Sequence, residues 1–281
     1  MLTTTERDLT PREYELFRQL VQEQTGINLG DQKQQLVRAR LGKRLRAGRF
    51  ASYRAYYDFV RDDPTGAELS GLIDAISTNT THLFRERQHF EFLARTLRGQ
   101  LGDRKWCAAN RGLRIWSAGC SAGDEPYSIA MTVDDVAGGR HEWKILATDI
   151  STKMIAQAQA GRYETQRLGT VPAQFRQRYF VRCENLDRTL VRVSPALRSR
   201  ITFAHLNLMS ERFPFRHGFH YIFCRNVMIY FARPTQQQLV TKLAAHLRPG
   251  GYLLIGHSES LNGVQHPLRY VQPTVYQKAG P

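Results

Sequence analysis

The chain has 281 residues, 42% of them hydrophobic, and a formal net charge of +15. This length suits roughly two domains of ordinary size, and the hydrophobic share excludes global disorder. No run of the sequence approaches the ~20 apolar residues that a membrane-spanning helix needs. The segment from Met1 to Glu6 lacks the basic-then-apolar pattern of a signal peptide. We therefore expect a cytoplasmic protein without membrane insertion.

The cysteines and the charge narrow the chemistry further. Four cysteines are scattered without C-x-x-C spacing, which predicts reduced thiols and neither a zinc site nor a disulfide framework. No metal site is expected. A chain this basic is attracted to a polyanion, whether nucleic acid, an anionic membrane surface or an acidic protein. Charge alone leaves these partners open, together with a basic surface that is only solvated.

The first ~75 residues predict helices joined by short turns. Thr10 suits an N-cap, Pro11 suits the first helical position, and Glu13 completes a capping box. Gly26 is expected to end this helix.

A second helix is predicted from Asp31 to Ala47, with a buried stripe of Leu36, Val37, Leu41 and Leu45. Its other faces are basic, and no acid follows Asp31. They carry Lys33, Arg38, Arg40, Lys43, Arg44 and Arg46, with Arg49 just beyond. A solvated helix usually mixes Glu with Lys and Arg. The pattern therefore favours a docking face for a polyanion over mere solvation, although both remain open.

Two more helices are predicted through Tyr53–Val60 and Leu69–Ile76, separated by the Asp62–Gly66 breaker. The polar run Ser77–Thr81 marks a domain boundary, and a helix through Phe90–Leu97 follows it. We predict a helical basic domain over 1–76, an interdomain segment with a leading helix over 77–112, and a second domain over 113–281.

From Leu113 onward, β-rich runs alternate with helical stretches, which predicts βαβ units and a mostly parallel, doubly wound α/β sheet. The expected strands are Leu113–Ala118, Lys144–Thr148, Ile201–Ala204, Tyr221–Cys224 and Tyr252–Ile255, and the expected helices are Ser128–Val136, Thr152–Ala160 and Thr235–Leu247. A small antiparallel insertion at about 178–200 interrupts this alternation, with strands at Tyr179–Arg182 and Thr189–Val193.

Polar residues follow four of these strands, in the Ala118–Pro126, Thr148–Asp149, His205–Leu208 and Cys224–Tyr230 segments. Ligands of open α/β sheets bind beyond the carboxyl ends of the strands, so these segments predict one convergent site over four separate caps. The first loop is not G-x-G-x-x-G, which weakens a dinucleotide interpretation. Alone, it could be only a tight strand-to-helix turn. Asp149 could accept hydrogen bonds from ribose hydroxyls or merely cap the next helix.

Later in the chain, the Pro-Gly-Gly turn within Leu247–Tyr252 resembles class I S-adenosylmethionine-dependent methyltransferases more than dehydrogenases. Five motifs in order resemble the CheR family, the bacterial chemotaxis-receptor methyltransferases. They are Asn79–Glu86, Ala122–Ser128, Ala147–Ile150, Phe223–Phe231 and Gly256–Glu259. The resemblance covers essentially the whole chain and implies a Rossmann-like methyltransferase domain behind a small helical domain.

The resemblance implies methyl transfer from S-adenosylmethionine to glutamate side chains of a chemoreceptor, with S-adenosylhomocysteine as product. It implies that Arg85 pairs with the methionyl carboxylate and that Tyr230 stands near the transferred methyl group, so these two are the expected catalytic residues. The implied cofactor-binding residues are Asn79, Thr81, Arg85, Gly119, Glu125, Asp149, Asn207, Leu208, Asn226 and Val227. Asp124 stands where the family more often has a second Glu, so the choice between Asp124 and Glu125 stays open.

The expected partner is the acidic helical cytoplasmic region of a chemoreceptor, with Arg38, Arg40 and Arg44 steering the encounter. Some members tether a receptor C-terminal peptide on the β insertion. The Arg182–Arg188 turn has no glycine here, which predicts an enzyme independent of that tether. The alternative is a nucleic-acid or other protein methyltransferase of the same fold. The Asn226–Tyr230 segment lacks the prolines typical of amine-methylating enzymes, so we expect no nucleic-acid substrate.

Overall fold

A computed structural model describes residues 8–110, 112–183 and 189–280. The chain divides into two compact units. The first contains the described residues up to Thr78 together with Tyr230–Thr235, and the second contains Asn79–Ile229 and Gln236–Pro281. The return of Tyr230–Thr235 to the first unit was not predicted. None of the described helices is both long enough and apolar enough to cross a bilayer.

The first unit is helical, as expected. Its helices are α1 (Pro11–Thr25), α2 (Gln34–Gly48), α3 (Tyr53–Asp62) and α4 (Ala67–Ile76). The predicted capping box is confirmed, because the Thr10 hydroxyl accepts from Glu13 N and the Glu13 carboxylate accepts from Thr10 N. Gly26 ends α1 in the left-handed conformation, with a φ of 73°.

Helix α2 differs from the prediction in two respects. A short 3-10 turn, Asp31–Lys33, precedes it, so the helix itself begins at Gln34. Val37 and Leu41 are buried, but Leu36 is 39% exposed. Leu36 was wrongly assigned to the buried stripe: one residue corresponds to about 100° around a helix, and this turns Leu36 away from the Val37–Leu41 face.

The second unit contains a seven-stranded sheet with the order β6-β2-β1-β7-β8-β10-β9. The strands are β1 (Leu113–Ala118), β2 (Trp143–Asp149), β6 (Ile201–His205), β7 (Phe219–Cys224), β8 (Leu247–Ile255), β9 (Leu268–Gln272) and β10 (Val275–Lys278). The pairings among β6, β2, β1, β7 and β8 are parallel, which confirms the predicted fold class. The antiparallel strands β9 and β10 were not predicted.

The remaining described helices accompany this unit. They are α5 (Gln88–Gly102), α6 (Arg104–Ala109), α7 (Asp124–Ala137), α8 (Thr152–Ala160), α9 (Ala173–Tyr179), α10 (Pro195–Arg198) and α11 (Arg233–His246). Strand β7 is buried along its whole length, as expected for a central parallel strand covered on both faces. The first three residues of α11 belong to the first unit.

The predicted insertion is a three-stranded antiparallel sheet with the order β3-β5-β4. Its strands are β3 (Arg162–Glu164), β4 (Phe180–Arg182) and β5 (Leu190–Val193). The prediction contained β4 and β5 but missed β3, which lies outside the expected 178–200 range and is paired with β5 from a distant part of the sequence. The turn residues 184–188, on which the tether prediction rests, lie outside the described residues.

The Pro-Gly-Gly segment is not a free turn between a helix and a strand. Helix α11 ends at His246 and β8 begins directly at Leu247. The β7–β8 register shifts between Phe219 and Tyr221, and Gly250 has a φ of 75°. The two glycines therefore form an irregularity at the start of the strand.

Leu36 and Leu41 of α2 provide a matched test of this fold. Leu41→Ala removes a fully buried side chain, so we expect it to lower the free energy of unfolding by about 2–5 kcal/mol. Leu36→Ala should change it by less than about 0.5–1 kcal/mol, since the side chain is largely solvated. Urea denaturation followed by circular dichroism measures both. Equal losses would place Leu36 in the core and contradict the structure.

Candidate functional site

The carboxyl ends of β2, β1 and β7 lie side by side along one edge of the sheet. The polar segments that follow these strands, predicted to converge, therefore lie along the same edge. The end of β6 joins them, because Leu206 N donates to Asp149 O at 3.0 Å. All of these residues except Tyr230 belong to the second unit.

Asp149 connects two loops at this edge. Its Oδ2 accepts from Ser121 N at 2.8 Å and its Oδ1 accepts from Ser151 N at 2.9 Å. The cap of α8 is the Ser151 hydroxyl, which accepts from Met154 N. The interpretation of Asp149 as a simple N-cap is therefore wrong. A carboxylate offers about four lone-pair sites, so Asp149 can take part in several hydrogen bonds at once.

Gly119 permits a close approach between the first loop and the segment after β7. Its φ is 84°, in the left-handed region, and a Cβ at this position would lie 2.4 Å from Val227 Cγ2. Both the backbone conformation and the available space therefore require glycine.

The centre of the site is a buried arginine that sequence reasoning did not assign. The Arg225 side chain is only 2% exposed and lies between two carboxylates, with Nη2 2.9 Å from Glu86 Oε2 and Nη1 3.2 Å from Glu125 Oε2. The guanidinium also lies over the Phe90 ring, 5.5 Å from its centroid. A buried guanidinium needs such partners, since an unpaired charge would be strongly destabilising.

Burial and the contacts of Arg225 shift the pKa values of three neighbouring groups, Glu86, His89 and Glu125. Burial favours the neutral form of Glu86, but the charge and hydrogen bonds of Arg225 outweigh it and lower the pKa of Glu86 to about 2. Burial, reinforced by Arg225, lowers the pKa of His89 to about 3, so this imidazole is neutral at physiological pH. For Glu125, burial outweighs the attraction of Arg225 and raises its pKa.

Glu259, the last residue of the Gly256–Glu259 motif, organises the loop after β7. Its carboxylate accepts from Asn226 N at 2.9 Å and from Met228 N at 2.7 Å. Ile229 N and Gly256 N also donate to it. Burial raises the pKa of Glu259, while these backbone donors oppose the rise. They hold Asn226 in the left-handed conformation, with a φ of 58°.

The structure distinguishes the two adjacent acids of α7. Asp124 is fully buried, and its Oδ1 lies 2.8 Å from Arg167 Nη2. Glu125 keeps 12% exposure and accepts from the Ser117 hydroxyl at 2.6 Å. Glu125 is thus the accessible acid, whereas Asp124 is part of the interior.

The segment from Asn79 to Glu86 is attached to the same loops. Asn79 O accepts from the Ser121 hydroxyl at 3.3 Å, and Thr81 O accepts from Arg167 Nη2 at 3.2 Å. Phe84 and Glu86 have φ values of 57° and 58°. Left-handed conformations at non-glycine residues carry strain and are typical of functional sites.

Arg85 is partly exposed, and its Nη1 donates to Thr80 O at 3.0 Å. A guanidinium has five N–H donors, so most of this group can still bind a ligand.

Asn207 and Leu208 follow β6. Asn207 Oδ1 accepts from Met209 N at 2.8 Å, and Leu208 O accepts from Lys242 Nζ at 2.7 Å. Leu208 is buried. The Asn207 side chain therefore closes its own turn, and Leu208 presents an apolar surface.

Tyr230 belongs to the first unit. Its carbonyl accepts from Asn28 N at 2.8 Å, Ile27 pairs with Phe231, and Lys33 Nζ lies 4.9 Å from the centroid of the Tyr230 ring. The two expected catalytic residues, Tyr230 and Arg85, thus belong to different units.

The three arginines expected to dock a partner differ in their contacts. Arg40 Nη1 donates to Ile76 O at 2.7 Å and to Ser77 O at 2.9 Å. Arg44 Nη2 lies 2.6 Å from Glu68 Oε1. Arg38 pairs with Asp8, and its side chain remains 50% exposed. The missing acids of α2 are thus supplied by other elements, and all three arginines have partners within the chain.

Glu86, His89 and His257 each place one potential ligand atom within 4.8 Å of the others. Arg225 already donates to the same Glu86 oxygen. A second cation at that carboxylate would be repelled by the guanidinium, so the cluster favours the ion pair over a metal ion.

Comparison with known families fits this geometry. The family model described as "CheR methyltransferase, SAM binding domain" matches residues 79–277, and "CheR methyltransferase, all-alpha domain" matches residues 12–77. The chain belongs to the CheR methyltransferase family. It is therefore an S-adenosylmethionine-dependent methyltransferase with an N-terminal helical domain.

Curated relatives of this CheR-family chain cover nearly its whole length. A chemotaxis protein methyltransferase of Borreliella burgdorferi is 38% identical over 274 residues, covering 96% of this chain and 95% of its own. Chemotaxis protein methyltransferase 2 of Pseudomonas aeruginosa is 39% identical, covering 96% and 94%. A chemotaxis protein methyltransferase of Escherichia coli is 36% identical, covering 98% and 94%.

The contrast between Asp124 and Glu125 leads to a matched pair of variants. We expect Glu125→Gln to weaken binding of S-adenosylhomocysteine about tenfold, on the order of one charge-assisted hydrogen bond. Asp124→Asn should leave the dissociation constant within about twofold but lower the free energy of unfolding, since Arg167 loses its buried counter-ion. Calorimetry measures the dissociation constant of S-adenosylhomocysteine, and urea denaturation measures the free energy of unfolding. The reverse pattern would make Asp124 the contacting acid.

Proposed function

We propose that this CheR-family enzyme transfers a methyl group to glutamate side chains of a chemoreceptor, forming methyl esters. The observation that carries this proposal is the match of both CheR domain models, over residues 12–77 and 79–277. The names of the curated relatives support the chemotaxis assignment.

The residues at the edge of the sheet fit S-adenosylmethionine. Its ribose hydroxyls and ammonium group are donors, for which Glu125 and Asp149 are acceptors, and its carboxylate suits the Arg85 guanidinium. The close packing of Gly119 against Val227 leaves backbone at the site without a side chain in the way. We propose that Asn79 and Thr81 complete the polar wall, while Asn207, Leu208, Asn226 and Val227 line the adenosine pocket.

The chemistry asks little of the enzyme in proton transfer. The bound cofactor supplies an electrophilic methyl group on a sulfonium, and an acceptor glutamate with a pKa near ~4.3 is already ionised at neutral pH. No general base is therefore needed. The protein must align the carboxylate oxygen with the methyl carbon and limit the water around them.

The buried network supports this positioning task. Arg225, held by Glu86 and Glu125, keeps an ionised carboxylate next to the cofactor wall without leaving its charge unpaired. Glu259 fixes the backbone of the segment that carries Asn226. We assign Arg85 and Tyr230 to positioning of the cofactor and the acceptor, rather than to proton abstraction.

We propose that the exposed basic side of α2 docks the acidic helices of the receptor. Arg38 is the leading docking residue, since it is half exposed. Arg40 and Arg44 contribute charge but have internal partners. We further propose that docking needs no C-terminal peptide tether.

A nucleic-acid acceptor is the second candidate, and the net charge of +15 is the observation that favours it. A methyl ester is labile to base, whereas a methylated nucleobase is not. The stability of the product towards alkali therefore separates the two candidates.

The reaction is tested by incubating the chain with labelled S-adenosylmethionine and receptor cytoplasmic fragments from the same genome. We expect alkali-labile label on the fragments. Tyr230→Phe should lower kcat roughly three- to tenfold, on the order of one hydrogen bond, with cofactor affinity unchanged. Alkali-stable label on added DNA or RNA, with none on receptor, would overturn the proposal. A complete loss of activity in Tyr230→Phe, with binding intact, would give the phenol an obligatory role.

The docking surface is tested by charge reversal. Arg38→Glu should raise the KM for receptor fragments about threefold or more at low salt with kcat retained, because it reverses an exposed steering charge. Arg12→Glu, an exposed residue of α1, is the matched control and should leave KM near the wild-type value. Rising salt should weaken the wild-type reaction. Salt-insensitive methylation would count against electrostatic docking.

A further inference from the structure

A second concave feature lies at the opposite edge of the sheet, at the amino ends of its strands. Arg114 is the second residue of β1, Gly218 directly precedes β7, and Arg248 is the second residue of β8. These three neighbouring strands form a cleft of about 490 Å³. It is lined by Arg114, Arg216 and Arg248, together with His217, Gly218, Ala108 and Ala109.

The cleft is positively charged, and no carboxylate among its described lining residues neutralises this charge. None of its described lining residues is acidic, and among the described residues no ion pair links any of its three arginines to a carboxylate. Two other arginines of this unit do have such partners, in the pairs Arg225–Glu86 and Arg167–Asp124. Like charges in one recess repel one another, so an anion bound there would be stabilised.

Arg248 has few acceptors within reach. His220 Nδ1 accepts from Arg114 N at 3.0 Å, so the ring proton is on Nε2, which donates to Asn110 Oδ1 at 3.0 Å. Arg248 Nη1, 3.3 Å from that Nε2, therefore faces another donor. Among the described residues, the oxygen atom that accepts from this guanidinium is Ala109 O, at 3.5 Å from Nη2. Most of the donors of this half-buried guanidinium remain available to a ligand.

The uncharged residues that line the cleft leave room for a ligand close to the backbone. A Cβ on Gly218 would lie 3.0 Å from Arg248 Cγ, so the glycine lets the arginine stem lie against the backbone. Ala108 and Ala109, at the end of α6, are exposed and have only methyl side chains. The recess is therefore open between its cationic walls.

We propose that this cleft is a binding site for a small phosphate-bearing molecule, separate from the methyl-transfer site. Arginine presents a planar fork of donors that matches phosphate oxygens. The volume falls within the ~300–1,000 Å³ typical of small-ligand pockets. Arg216 is exposed, but Arg114 and Arg248 are only partly exposed, so the flat surface of a membrane or the backbone of a duplex would reach these two poorly.

The test uses the whole chain with saturating S-adenosylhomocysteine, which keeps probes out of the cofactor site. Inorganic tripolyphosphate and uridine diphosphate are titrated by calorimetry. We expect Arg248→Glu to weaken binding at least about tenfold, as for loss of a bidentate phosphate contact. Ala108→Glu, which adds a carboxylate to an exposed helical position without removing a packed group, should cause a similar loss. Arg176→Glu, an exposed change of equal charge on α9, is the control.

Binding that is lost in both cleft variants and kept in the control supports the site. Equal loss in all three variants, or no binding of either probe, overturns it. Vesicles containing phosphatidylglycerol and a short DNA duplex are measured in parallel. Tighter binding to either one than to the small probes, with the same dependence on Arg248, would assign the surface to that macromolecule and overturn the small-molecule proposal.

Discussion

The candidate functional site depends on one buried cation. Arg225 lies between Glu86 and Glu125 with almost no access to solvent, and each of these acids is on a different element. Glu86 is the last residue of the Asn79–Glu86 segment, and Glu125 is in the first turn of α7. Because a buried guanidinium without partners would be strongly destabilising, the ion pairs fix three separate pieces of backbone against one another. The strained φ values at Glu86 and Asn226 persist because this network over-determines them.

The parallel sheet and the first helices could be predicted because their signals are local. Capping at Thr10, the ending at Gly26 and the buried strand runs each depend on a few neighbouring residues, and the structure bears them out. The prediction failed where the decisive partner is distant in sequence. Strand β3 is three residues long and exists because β5 pairs with it, and Leu36 satisfies helical spacing but lies on the wrong side of α2.

The candidate site shows the same division. Glu125 and Asp149 could be predicted to lie at the same edge of the sheet, because parallel strands bring their carboxyl ends together. Glu86 and Arg225 lie in two of the five CheR-like motifs, but the sequence predicted no role for either. Nothing in the local sequence shows that a charged pair separated by 139 positions is buried together. The lack of acidic partners within α2 has a related explanation. The helix itself contains no acidic residue, but Asp8 pairs with Arg38 and Glu68 pairs with Arg44 from other parts of the chain.

The return of Tyr230–Thr235 to the first unit affects how this chain can be made and divided. A ribosome has to synthesise most of the second unit before the last piece of the first one emerges, so the N-terminal unit cannot be completed early in translation. A cut after Thr78 would yield two fragments. The N-terminal fragment would lack Tyr230–Thr235, and the C-terminal fragment would carry this segment of the first unit. In evolutionary terms, the helical domain is not a module that could be exchanged by a single crossover at its boundary, because Ile27 and Asn28 depend on backbone partners encoded some 200 positions downstream.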